Sequence, residues 1–335
     1  MDNSCFYYGV HTAGGNCLGF FDSERVKKII AVCGGAPLQR ESFFVLLSAE
    51  LFKVSVKNEL LFSWNSVSAL YCPEQKILVA DLKFLNEKQK SRVEIIIELD
   101  LNNAEQNEKV KAIRSELEAK ELRCQRFLAA SDCIKKDMLR LDALSVDKSK
   151  LLSYTARLWK KSGGVMKGTV GMESKEFVSC VTSEGVELNE RAFEKCDRVA
   201  VIVDKTGAVS LMLVDRLRRY ALSSGYDVIS CVCSLNSERV EHVIIPELRF
   251  GVFSSEHYHR LTPKRGRKIY AARFHTKDST LVKNRLNFSL KAYRSLMNEA
   301  FCSLAEAEKY ENSLNLLLAG AEVSCAVDAA LSVIE

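Results

Sequence analysis

The apolar positions of this chain fall into short continuous runs, separated by stretches in which they recur at helical spacing. Ile29-Ile-Ala-Val-Cys33 is a run of five apolar residues closed by Gly34-Gly35, which predicts a buried strand. Glu41 to about Phe52 follows with Phe44, Leu47 and Leu51 on one face, the spacing of an amphipathic helix. Leu60-Leu-Phe62 and Ile77-Leu-Val-Ala80 predict further buried strands. Continuous apolar strands alternating with a helix predict parallel pairing in an α/β sheet. From Asn103 to about Lys161 there is no proline or glycine, and Val110, Ile113, Leu117, Leu122, Phe127, Leu128, Ile134, Met138 and Leu141 recur at helical intervals. This region predicts two or three long helices standing out from the first domain as an insert.

After Ser162-Gly163-Gly164 the order starts again. Val199-Ala-Val-Ile-Val203 predicts a strand, Leu211–Ser223 a helix ended by Gly225, and Asp227–Cys233 and Phe250–Phe253 further strands. Helices over Leu281–Tyr310 and Ser313–Ile334 close the chain. The recurrence is literal in one place. Val67-Ser-Ala-Leu-Tyr-Cys-Pro73-Glu74-Gln-Lys-Ile-Leu-Val-Ala-Asp81 matches Val240-Glu-His-Val-Ile-Ile-Pro246-Glu247-Leu-Arg-Phe-Gly-Val-Phe-Ser254 without a gap, the prolines 173 positions apart. An offset of that size predicts two copies of one domain and not a solenoid. The expected division is 1–161, carrying the helical insert at about 103–161, and 162–335, carrying the helical C-terminus.

Composition agrees with a globular protein: 335 residues, 47% apolar, 27% charged, net charge +5. No run approaches the roughly 18 apolar residues of a membrane span. Met1-Asp-Asn-Ser-Cys5 has no basic region followed by an apolar run, so no secretory leader is expected. Twelve cysteines without a CxxC pair, several of them in apolar segments, predict reduced core thiols in a cytoplasmic protein. Cys231 and Cys233 form a C-x-C on one strand face, with no histidine at zinc-ligand spacing.

The chemistry, if any, is expected where a strand turns into a helix. A phosphate-binding P-loop, G-x-x-x-x-G-K-[ST], uses glycines to wrap backbone amides around phosphates, lysine to meet the β/γ oxygens and a hydroxyl to ligate Mg²⁺. The first junction reads Gly34-Gly35-Ala-Pro-Leu-Gln39-Arg40-Glu41-Ser42, with Gln39, Arg40 and Glu41 at the glycine, lysine and hydroxyl places. A carboxylate there repels phosphate, and arginine's planar fork does not reproduce a lysine. The second junction reads Asp204-Lys205-Thr206-Gly207-Ala-Val209-Ser210-Leu211, where only Gly207 remains. Asp81 ends its strand where such proteins keep the carboxylate that orients Mg²⁺.

On these residues the chain resembles uncharacterised bacterial proteins with two P-loop ATPase domains in tandem. The resemblance is carried further by Ala13-Gly-Gly-Asn16 with Gly19-Phe20, Arg126-Phe-Leu-Ala-Ala-Ser-Asp-Cys-Ile134, Gly225-Tyr-Asp-Val228, and His242-Val-Ile-Ile-Pro-Glu-Leu248 with Ser254-Ser-Glu-His-Tyr-His259. It implies an α/β fold of two tandem P-loop NTPase-like domains with mostly parallel sheets and, in the family, ATP and Mg²⁺ as cofactors. Both loops here depart from the family pattern. The expectation is therefore a protein without ATP hydrolysis and without a cofactor, a cytoplasmic scaffold or regulator that holds a protein partner.

Two alternatives stay open at this stage. One is an ATP-binding protein in which Arg40 meets phosphate and Asp81 places the metal, with Gly34, Gly35, Ser42, Lys205, Thr206 and Gly207 as remnants of the loops. The other is a nucleic-acid-binding protein using Lys264, Arg265, Arg267 and Lys268 of Pro263-Lys-Arg-Gly-Arg-Lys268, a dense basic turn. His257 and His259 lack a visible third metal ligand.

Overall fold

The computed structural model describes residues 6–19, 25–64, 66–99, 108–194, 196–258, 261, 266–276, 280–319 and 323–334. The first elements are β1 (Gly9–Thr12), β2 (Gly15–Leu18), β3 (Lys28–Gly34), α1 (Pro37–Lys53), β4 (Glu59–Phe62), β5 (Val67–Cys72), β6 (Ile77–Asp81), α2 (Glu87–Lys90) and β7 (Val93–Leu99). Then come α3 (Glu108–Ala143), α4 (Lys148–Lys161), β8 (Glu173–Phe177), β9 (Ser179–Val181), β10 (Val186–Leu188), α5 (Arg191–Glu194), β11 (Arg198–Val203) and α6 (Ala208–Ser223). The chain ends with β12 (Val228–Val232), β13 (Val240–Ile245), β14 (Phe250–Ser255), β15 (Arg267–Tyr270), α7 (Thr280–Leu317) and α8 (Ser324–Ile334). It is a mixed α/β protein in two compact units. Unit one is Met1–Arg126, Cys180–Glu184 and Glu299–Glu335; unit two is Phe127–Ser179 and Gly185–Asn298.

Unit one is built on a sheet of order β4-β5-β6-β3-β7. Ile30 and Val32 of β3, Leu70 of β5 and Val79 of β6 pack under Phe43, Phe44, Leu47 and Leu51 of α1, with Val327, Ala330 and Ile334 of α8 completing the layer. Helix α1 starts with Pro37 at its first position, where the missing N–H costs nothing. Truncating Phe44 or Leu47, both fully buried, is expected to cost about 2–5 kcal/mol.

Unit two has the order β15-β11-β14-β13-β12-β8. Ala200, Ile202, Val243, Ile245 and Val252 of its sheet meet Val209, Leu213, Val214 and Leu217 of α6, and Leu151, Tyr154, Leu158 and Trp159 of α4.

The two units share one topology. In each, a strand (β3, β11) leads through a helix (α1, α6) to a three-strand antiparallel meander (β4-β5-β6, β12-β13-β14). The last meander strand and a later strand (β7, β15) then flank the first in parallel. The strand orders β4-β5-β6-β3-β7 and β12-β13-β14-β11-β15 correspond one to one, and β8 is an addition at the β12 edge. The agreement reaches single residues. The hairpin turns after Cys72 and Ile245 both end on a residue with positive φ, Lys76 at 57° and Arg249 at 45°. Lys76 O accepts from Lys27 N at 2.8 Å, and Arg249 O accepts from Arg198 N at 3.1 Å, so each turn anchors the start of the central strand. Both meanders break register at their first strand, at Leu61/Phe62 and at Cys231/Val232.

Four expectations need correction. The sheets are mixed, with only a narrow parallel majority of five pairings to four in the two main sheets: β4, β5 and β6, and likewise β12, β13 and β14, pair antiparallel, because turns as short as Pro73–Lys76 and Pro246–Arg249 cannot carry a parallel crossover. Residues 108–161 form two helices, within the expected two or three, but their second part does not belong to the first unit. Residues 127–161 count with unit two because the apolar stripe of α4 packs on α6. The C-terminal helix α8 belongs to unit one, not to the second copy. The last long helix runs unbroken over Thr280–Leu317. Among the described residues no helix is long and apolar enough to cross a membrane.

Candidate functional site

The strand–turn–helix junction of unit one lies beside a cleft of about 410 Å³. Gly34 (φ 76°) and Gly35 (φ 60°) make the turn in left-handed conformations, and α1 begins at Pro37. A turn this short cannot wrap a phosphate, since residues 37–42 of the expected loop are already helix. The amides that would face an anion are engaged by the chain itself. Ala36 N donates to Gln39 Oε1 at 2.7 Å, and Leu38 N donates to Asn315 Oδ1 at 3.1 Å. Gln39 Nε2 then donates to Leu318 O, fixing the cap.

The structure brings Gly34, Gly35, Arg40 and Asp81 together, with Arg40 and Asp81 at the lining of the cleft, where they engage each other. Arg40 Nε lies 2.8 Å from Asp81 Oδ2, and Arg40 Nη1 donates to Gly34 O at 2.8 Å and Gly35 O at 3.1 Å. The other oxygen of Asp81 accepts the Lys83 amide at 2.9 Å. Ser42 is exposed on α1 and does not line the cleft.

Beyond this pair lies Lys83, its ammonium 2.5 Å from Glu121 and 3.2 Å from Glu311. Burial works against the charge of Lys83, yet the two carboxylates outweigh it and hold its pKa above the ordinary value. His11 lines the same cleft; burial first, and the Lys83 ammonium second, push its imidazole below 6.5. The charged lining is six carboxylates, Glu41, Asp81, Glu121, Glu184, Glu308 and Glu311, against Arg40 and Lys83. That lining does not fit a nucleoside polyphosphate.

In unit two the corresponding junction is closed in a different way. Asp204 stands at the end of β11, its Oδ2 accepting Ser210 N at 2.8 Å and its Oδ1 accepting Thr206 N at 3.2 Å. A carboxylate of the chain thus takes the position at the α6 N-terminus that favours an anion. Thr206 Oγ1 donates to Asp142 Oδ2 at 2.6 Å, and Asp142 also faces His275 Nε2 at 3.1 Å. Lys205 is exposed, with Nζ 3.4 Å from Asn287 Oδ1. Gly207 caps α6 at φ 91°, and a Cβ there would collide with the Glu256 carboxylate, which is ion-paired to the buried Lys135.

By strand register, Val32 opposite Asp81 and Ile202 opposite Ser254, the β3–α1 junction maps onto the β11–α6 junction with an offset of 170, so Ser210 and Ser254 replace Arg40 and Asp81. Neither hydroxyl has a partner among the described residues, and both line a cavity of about 10 Å³, the room of one water.

No family model, curated protein or solved structure matches this chain.

The remaining sequence candidates are dispersed. Lys264, Arg265 and His259 lie outside the described residues. Arg267 and Lys268 are exposed on β15, the Arg267 guanidinium 5.6 Å from the Tyr154 ring centroid. His257 Nδ1 accepts from Arg294 at 3.2 Å. Cys231 and Cys233 are buried; burial raises both thiols, Cys233 to about 12. Among the described residues no three His, Cys, Asp or Glu side chains are grouped to hold a metal. Cys133, Cys302 and Cys325 are exposed on helices and are not core thiols. Gln39, Asn315, Lys83 and Asp204 were not expected to act at the junctions. Only Asp204, an acidic residue directly after an apolar strand and before a helix, carried a sequence signal, that of a helix cap.

Proposed function

We propose that this chain is a duplicated α/β binding protein without nucleotide hydrolysis, a scaffold or regulator in which both strand–turn–helix junctions have become structural. The tandem P-loop ancestry is part of this reading; it is supported by the same strand–turn–helix unit recurring in the same place of two like topologies. One observation carries the loss of nucleotide chemistry: the helix amides that would hold phosphate are satisfied by Gln39, Asn315 and Asp204. The ATP-binding alternative needs Arg40 and Asp81 free for phosphate and metal, whereas each holds the other.

The test is a thermal-shift titration with ATP, GTP and ADP, each with and without Mg²⁺, alongside an ATPase assay. The reading predicts no shift at millimolar nucleotide and no turnover above background. A ligand at a hundred times its Kd stabilises by about 2.7 kcal/mol, so a saturable rise in melting temperature would sink it.

A further inference from the structure

We infer that this chain associates with copies of itself by joining two sheet edges, β7 of one copy lying antiparallel beside β15 of another. The contact uses neither junction and does not depend on whether they take nucleotide.

The two strands hold the same place in the two units. Each is the edge of its own sheet and pairs on one side, β7 with β3 and β15 with β11. Val32 faces Ile97 in the first register and Ile202 faces Ile269 in the second, so Ile97 and Ile269 are equivalent residues of the repeat. Both are buried against the helices of their own unit. An open strand edge presents a row of unpaired N–H and C=O groups that a further strand satisfies. Among the described residues no strand, turn or cap bonds to the outer edge of β7 or β15.

The side chains on the two edges are complementary. On β7 the row turned away from the buried Ile97 and Leu99 is Glu94, Ile96 and Glu98, all exposed, with Ile96 at 60%. On β15 the matching row is Lys268 and Tyr270, with Tyr270 also at 60%. Glu94, Glu98 and Lys268 have no ion-pair partner among the described residues.

Antiparallel pairing centred on the equivalent residues Ile97 and Ile269 sets Glu98 opposite Lys268 and Ile96 opposite Tyr270. Opposite charges, and an aromatic ring against a β-branched side chain, are cross-strand pairs that stabilise antiparallel strands. Like edges do not match in this way. Two β7 edges centred on Ile97 set Glu98 opposite Ile96 and gather four carboxylates on one face. Two β15 edges centred on Ile269 set Lys268 opposite Tyr270 and bring two lysines together. Repulsion thus selects the unlike edges. Each edge is matched by the other, and a second copy of the chain presents both, which makes the contact heterologous.

The experiment is sedimentation velocity of the purified full chain at low ionic strength, from about 1 to 100 µM, on the parent, Glu98→Lys, Lys268→Glu and the double variant. A mass above the monomer that grows with concentration is expected for the parent. Each single reversal sets like charges opposite one another and should weaken association about tenfold or more, with unchanged circular dichroism because both positions are exposed. The double variant, and an equimolar mixture of the two single variants, should recover the parent's association to within about threefold. A parent that stays monomeric up to about 100 µM overturns the inference. Association indifferent to both reversals overturns it too, because the contact then lies elsewhere. Loss in the single variants with no recovery in the mixture overturns the placing of Glu98 opposite Lys268.

Discussion

Arg40 and Asp81, 41 positions apart in sequence, are held with Nε 2.8 Å from Oδ2 at the end of the unit-one sheet, while the equivalent places in unit two are the serines Ser210 and Ser254. An ion pair in one copy and two hydroxyls in the other are alternative ways to fill one junction. Removing a single partner leaves a largely buried charge. Arg40→Ser or Asp81→Ser is therefore expected to cost about 2–3 kcal/mol, less than for a fully buried pair because both side chains keep some exposure. The double variant Arg40→Ser/Asp81→Ser, which copies unit two, should be less damaging than either single change. Denaturant unfolding of the three variants measures this; additive losses would contradict it.

The matched turns make a second prediction. Lys76 and Arg249 sit at φ 57° and 45°, a region that β-branched side chains avoid. Lys76→Val and Arg249→Val should each cost about 1–3 kcal/mol, whereas the glycine variants should stay within about 1 kcal/mol of the parent. Equal effects of valine and glycine would show that these turns do not impose the backbone.

Much of this architecture was legible in the sequence, and the misses have physical causes. The repeated Pro-Glu turns and the apolar runs identified the duplication. Strand direction was missed because β5 and β6 are buried along their whole length, so their apolar runs read like parallel strands although a short turn joins them. Helical periodicity predicted two or three long helices over about 103–161, but apolar residues such as Leu151, Tyr154 and Leu158 do not say which sheet they cover. The Arg40–Asp81 pair was half legible. Both residues were placed at the junction for a ligand's sake, and nothing in their spacing showed that they would satisfy each other.

Acid should weaken unit one through His11. Its folded pKa lies below the ordinary 6.5, so the unfolded chain takes up a proton that the folded chain refuses. Stability is then held above pH 6.5 and falls as pH drops from there toward the folded pKa. Melting temperature against pH checks this, and His11→Gln should flatten that limb. An unchanged profile in the variant would place the acid sensitivity elsewhere.

Thiol reactivity separates surface from core. Cys133, Cys302 and Cys325 are exposed, whereas burial pushes Cys72 up to about 11 and Cys124 and Cys196 to about 12. An aromatic disulfide reagent at pH 8 should label the three exposed thiols rapidly in the native chain and the buried ones only after unfolding. Fast native labelling of Cys72 or Cys124 would contradict the packing.

The central claim is that both junctions are closed to phosphate by the chain's own side chains. Isothermal titration of Mg-ATP into the purified chain tests it most directly. The account predicts no heat beyond dilution at millimolar nucleotide; a saturable isotherm, at one site or two, would contradict it.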